Sequence, residues 1–123
     1  MALTRVAVGL LLSALPAVAH AHAVLVTSVP AARAILAHPP SRVELEFSER
    51  LEPAYSTLSV WNEQGGRVDR DAAPVMAASG RRLVLAVPPL APGRYTVRYR
   101  VLSVDGHVAE AAVPFTVAPR SSR

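Results

Sequence analysis

The feature that most constrains this chain is a strict two-residue alternation. Tyr95, Val97, Tyr99 and Val101 alternate with Thr96, Arg98 and Arg100, which puts apolar side chains on one face of an extended segment and polar ones on the other. Val43, Leu45 and Phe47 keep the same rhythm against Glu44 and Glu46. Shorter extended runs lie at 23–27, 57–61, 83–87 and 113–117, and Pro, Gly, Ser or Asp separates them at intervals of roughly ten residues. The first ends at Val29-Pro30, the second on a turn around Gly65-Gly66, and the third at Pro88-Pro89. Pro114 inside the last run points to an edge or a bulge, because proline cannot donate to a strand ladder. No stretch beyond residue 22 carries a capped helical stripe. The Ala-rich residues 30–37 have room for a turn of helix before His38-Pro39-Pro40 stops it. The pattern predicts an antiparallel sandwich or small barrel of about seven strands. Val43, Leu45, Phe47, Leu83, Leu85, Tyr95, Val97, Tyr99 and Phe115 should point into its core.

The first 21 residues follow a different rule. Arg5 precedes an almost wholly apolar run at 6–15, Pro16 breaks it, and small residues lead to Ala19-His20-Ala21. That order matches an export signal with an A-x-A cleavage site. A membrane anchor needs about 20 apolar residues, more than this run supplies before His20. Cleavage is expected before His22, in preference to a cut before His20 after Ala17-Val18-Ala19. It leaves 123 − 21 = 102 residues, room for one domain. There are no cysteines, so disulfides and thiolate metal sites are excluded. Without Arg5 the balance is 12 Arg against 9 acids, about +3. Only Arg81 and Arg82 are adjacent, so no clustered basic face for nucleic acid is expected.

The histidines carry the candidate chemistry. His38 precedes two prolines and reads as an ordinary surface residue. His107 follows Asp105 by two positions, with Gly106 between them. In extended backbone that spacing puts both side chains on one face, and glycine permits a turn or a close approach. An imidazole and a carboxylate so arranged make half a metal site. The same residues also suit a plain hairpin turn, with His107 at the surface after it. His22 adds a second element. Cleavage before it frees an α-amine on the residue that carries an imidazole, and the two nitrogens can close a chelate ring. With His107 and Asp105 they make an N₃O set, the kind that Cu(II) prefers in tetragonal geometry. The alternative is that His22 is merely the first residue after the cut.

Three stretches resemble the CopC family of periplasmic copper-resistance proteins. His22-Ala23-Val24-Leu25 through Ser28-Val29-Pro30 is similar to that family's mature N-terminus. Val43-Glu44-Leu45-Glu46-Phe47-Ser48-Glu49, with Glu52-Pro53-Ala54-Tyr55-Ser56 after it, resembles its L-x-F-S-E strand and following loop. Gly93 to Val97, and Ser103-Val104-Asp105-Gly106-His107 followed by Phe115-Thr116-Val117, resemble its last hairpin with an S-x-D-x-H motif. The resemblance implies that His22, Asp105 and His107 bind one Cu(II) ion per mature domain. It also implies an Ig-like, Greek-key antiparallel β-sandwich, all-β, of about seven strands. Some members take Cu(I) on a methionine-rich loop. Here Met76 is the lone methionine beyond residue 1, and it reads as core filler.

The expectations are therefore a signal peptide at 1–21, a copper-binding sandwich at 22–118 and a disordered tail at 119–123. The chain should be a periplasmic, monomeric, non-enzymatic Cu(II)-binding protein for copper sequestration, delivery or resistance. Its partners should be the copper ion and an inner-membrane copper transport protein, with no nucleic acid and no membrane insertion of the mature chain. An N-terminal histidine chelate also resembles the copper brace of lytic polysaccharide monooxygenases. Those need an aromatic-rich face, and only 5% of this chain is aromatic. A metal-free Ig-like adhesion module is the third reading, and it requires His22 and His107 to lie far apart.

Overall fold

A computed structural model describes Gly9 and residues 23–70 and 72–121. His22, the last two residues and, Gly9 apart, the predicted signal segment lie outside the described residues. Eight strands form among those described, rather than about seven: β1 (Leu25–Val29), β2 (Ala34–Leu36), β3 (Arg42–Phe47), β4 (Thr57–Asn62), β5 (Val75–Met76), β6 (Arg82–Ala86), β7 (Gly93–Leu102) and β8 (Val108–Val117). They build two four-stranded sheets, in the orders β1-β3-β6-β5 and β2-β8-β7-β4. The chain changes sheet at most connections, so β5–β6 and β7–β8 are its hairpins within one sheet. Among the described residues no helix is long and apolar enough to cross a membrane.

The alternation decides which faces meet. Val43, Leu45 and Phe47 of β3 are buried together with Leu83 and Leu85 of β6. Across the sandwich stand Leu58 and Val60 of β4, Tyr95, Val97 and Val101 of β7, and Val113, Phe115 and Val117 of β8. Burying each such side chain is worth about 1.5–3 kcal/mol. Phe47 meets Tyr99 edge-on at 5.2 Å between ring centroids, and Tyr95 stacks on Phe115 at 5.5 Å. Tyr99 departs from expectation, being half-buried at the margin of the core. On the outer face of the first sheet, Glu44 and Glu46 pair with Arg42 and Arg82 at 2.8 and 3.1 Å.

Three elements correct the sequence reading. The piece expected to make a turn of helix contains β2, which runs parallel to β8 from Ala34↔Phe115 to Leu36↔Val117, so the second sheet is mixed. Here a neighbouring strand's open ladder outweighs the local composition. The two-residue β5 pairs with β6 and was not legible as a strand. β8 begins at Val108 rather than 113, because β7 offers a pairing partner at every position from Leu102↔Val108 to Gly93↔Val117. Pro114 sits where β8 passes from edge strand to interior strand. Its carbonyl accepts the Arg33 N–H at 2.7 Å on the β2 side. Its nitrogen points the same way, so the missing N–H removes no bond to β7.

Candidate metal centre

The turn between β7 and β8 builds the site. Ser103 N–H donates to the His107 carbonyl at 2.9 Å, and Gly106 N–H donates to the Ser103 carbonyl at 2.9 Å. Gly106 has φ +91°, a region that favours glycine, and this left-handed step folds the chain back on itself. Asp105 and His107 thus meet through a tight turn, the alternative that Gly106 left open, and not as neighbours along one face of a strand. His107 Nδ1 lies 3.1 Å from Asp105 Oδ1, and the His107 N–H reaches the same oxygen at 3.3 Å. The Ser103 hydroxyl also donates to Oδ1. That hydrogen bond above all holds the Asp105 carboxyl below its ordinary pKa of 3.8; desolvation opposes it, and the His107 contacts add to the lowering. Both side chains are a little over one third exposed, although His107 Nδ1 itself is buried against the turn.

A second segment fastens the start of the fold to this turn. Val24 N–H donates to Ser48 Oγ at 2.9 Å, and Ser48 N–H donates back to the Val24 carbonyl at 2.8 Å. Two residues on, the Arg50 carbonyl accepts the Val104 N–H at 2.9 Å. Glu52 N–H reaches the Leu102 carbonyl at 2.8 Å, and Leu51 bridges to Ser103. Buried Ser56 strengthens the tie: its hydroxyl donates to the Glu52 carbonyl at 2.8 Å and accepts the Leu102 N–H at 3.2 Å. Residues 48–56 therefore connect Val24 to the Asp105–His107 turn, at one end of the sandwich. Ala23, which directly follows His22 in the chain, is buried there.

The other sequence candidates fall elsewhere. His38 is exposed beyond β2, whose Leu36 pairs with the last residue of β8. His107 precedes the first residue of β8, so His38 is at the opposite end, roughly 30 Å away along a ten-residue strand. Met76 packs against the core. Among the described residues, no three His, Cys, Asp or Glu side chains gather in one place. Sequence reasoning quoted Ser103 within its motif but gave it no role. Its position two before Asp105 and four before His107 was the available signal.

Comparison with known proteins bears on this geometry. A family profile described as the CopC domain matches residues 25–118. The chain is 35% identical over 120 residues to copper resistance protein C of Pseudomonas syringae pv. tomato, covering 93% of this chain and 92% of that one. It is 30% identical over 104 residues to the copper transport protein CutJ of Bacillus subtilis, covering 84% of this chain but only 19% of that longer protein. The crystal structure of CopC from Methylosinus trichosporium OB3b superposes with a TM-score of 0.75 at 38% identity, over 83% of this chain and 99% of that one. A domain match across most of the chain, a relative similar over nearly its full length and the same sandwich in a solved structure agree: the chain belongs to the CopC family.

Proposed function

We propose that the exported and processed chain binds one Cu(II) ion in the periplasm, for sequestration, delivery or resistance. The ligands are the α-amine and imidazole of His22, a carboxylate oxygen of Asp105 and the imidazole of His107. The observation that carries this reading is the meeting of Asp105 and His107 at 3.1 Å, in a turn tied through Ser48 and Arg50 to Val24. A nitrogen-rich set with one carboxylate oxygen suits Cu(II), which heads the affinity order for such donors. The relatives named as copper-resistance and copper-transport proteins support the metal, and with them the chain is a binding protein and not an enzyme. CutJ, named as a copper transport protein, contains a similar domain within a much longer chain. This supports a copper transport protein as the partner, one that on our reading sits in the inner membrane.

Signal cleavage after Ala21 is part of the proposal. Residues 1–21 are the signal, 22–118 the copper-binding sandwich and 119–123 a tail. An internal amide cannot ligate as a primary amine does, so the site exists only after processing. The test is a Cu(II) titration of protein beginning at His22, beside a version carrying one extra residue ahead of it. The extended version should bind far more weakly, and both should weaken as pH falls, because protons compete for the nitrogens. Equal affinity in the two would remove the amine from the site.

A further inference from the structure

We infer that Ser103 is the positioning residue of this site: its hydroxyl holds Oδ1 of Asp105 for the protein, so that the carboxylate binds copper through Oδ2 alone. The inference rests on the proposed His22, Asp105 and His107 site and deepens it.

Ser103 is 1% exposed, so its hydroxyl needs partners inside the fold. A serine hydroxyl has one hydrogen to donate. Two acceptors lie in reach, Asp105 Oδ1 and the His107 carbonyl at 3.2 Å. The carbonyl already takes the Ser103 N–H at 2.9 Å. The carboxylate is charged, which makes it the stronger acceptor. The hydrogen therefore goes to Asp105. The oxygen of the same hydroxyl then accepts the His107 N–H, which stands 3.2 Å from it and 3.3 Å from Oδ1. One buried atom thus touches both residues of the D-x-H pair.

The consequence lies in how the carboxylate is shared. Oδ1 takes the Ser103 hydroxyl and stands 3.3 Å from the His107 N–H. Neither contact uses Oδ2. A carboxylate pinned by one oxygen presents the other at a fixed angle, so little ordering is left to be done when metal arrives. One oxygen beside three nitrogens fills the four strong positions of a tetragonal Cu(II) ion, whereas a chelating carboxylate would crowd a fifth.

The test is a double-variant cycle on protein with the native His22 terminus, titrated with Cu(II) alone. Ser103→Ala should lower affinity about 10–100-fold, the usual effect of losing a group that orients a ligand. In an Asp105→Ala background there is no carboxylate left to position, and the same substitution should cost less than about 2-fold. Ser103→Ala should also change the Cu(II) electron paramagnetic resonance spectrum, a readout that a merely structural role would leave alone. Equal losses in both backgrounds would mean that Ser103 acts through the fold or through His107 and not through the carboxylate, and the inference would fall. Asp105→Ala binding as tightly as the native protein would overturn the site itself, and the inference with it. The native protein supplies a second measurement should the alanine variant not fold. In the copper-loaded minus metal-free infrared difference spectrum, the antisymmetric and symmetric carboxylate stretches of Asp105 should move apart, as in one-oxygen binding. A narrowed separation means two-oxygen binding and overturns it.

Discussion

Two aspartates in this fold each have a basic residue two positions away, and they are built to opposite ends. Asp69 has Arg67 before it, and its side chain is fully buried. Its Oδ1 accepts the Val60 N–H at 3.1 Å and Arg67 Nε at 2.9 Å, while Oδ2 accepts Arg67 Nη2 at 2.9 Å. Asp105 has His107 after it, is about one third exposed, and has one oxygen engaged. The difference teaches how to separate a structural carboxylate from a binding one. Asp69 spends both oxygens inside the protein and clamps residues 67–70 onto β4, where Val68 N–H also reaches the Val60 carbonyl at 2.8 Å. Asp105 keeps an oxygen for something else. Both carboxyls sit below their ordinary pKa, for different reasons. Burial raises that of Asp69, and the Arg67 hydrogen bonds, the Val60 N–H and the Arg67 charge more than reverse it. The Ser103 hydroxyl leads for Asp105.

The contrast can be broken most sharply at the binding end. His107→Ala should reduce Cu(II) affinity by more than about 100-fold, beyond what the loss of an outer-shell partner costs. The unfolding free energy of the metal-free protein should move by less than about 0.5 kcal/mol, because the side chain is partly exposed after a turn. Copper titration and circular dichroism on one preparation check both. A variant that unfolds without metal would make His107 a structural residue like Asp69.

The mirror experiment is Asp69→Ala. It strands the Val60 N–H and one face of Arg67, and should cost about 2–3 kcal/mol of stability. For a domain near 100 residues that lowers Tm by roughly 10–20 °C. Copper affinity, measured below the new Tm, should be unchanged. A loss of copper binding by the folded variant would erase the distinction between the two carboxylates.

The smallest effect sharpens the comparison through pH. A carboxyl whose pKa is lower folded than unfolded adds stability above its unfolded value and loses it as pH falls through the folded one. The ordinary value is 3.8. The stability gap between the native protein and Asp69→Asn should therefore be flat above about pH 5 and close at more acid pH. Denaturant unfolding of the two proteins across that range measures it. A gap that widens toward acid would show that Asp69 is not held as an anion in the fold.

What the sequence by itself determined was the material of the sandwich. A period of two is carried by the order of neighbouring side chains, so the inward positions of Val43, Leu45, Phe47, Tyr95, Val97 and Phe115 were legible without any partner strand. Asp105 and His107 were legible as a pair for a different reason: two residues cannot separate them far, whatever the backbone between them does. Tyr99 read as core but lies half-buried at its margin, because burial depends on what stands opposite and not on the strand's own rhythm. The tertiary structure alone decided the rest. β2 became a strand because β8 offered it an open parallel ladder, and Val108-Ala109-Glu110-Ala111-Ala112, which lack clear alternation, became one because β7 paired with each of them. The tie from Val24 through Ser48 and Arg50 to Val104 joins residues some eighty positions apart in the chain. Contacts at that separation have no local period to announce them. They arise only when both sheets have closed on the core, and that closure also buries Ser103, whose hydroxyl meets Asp105 within the local turn.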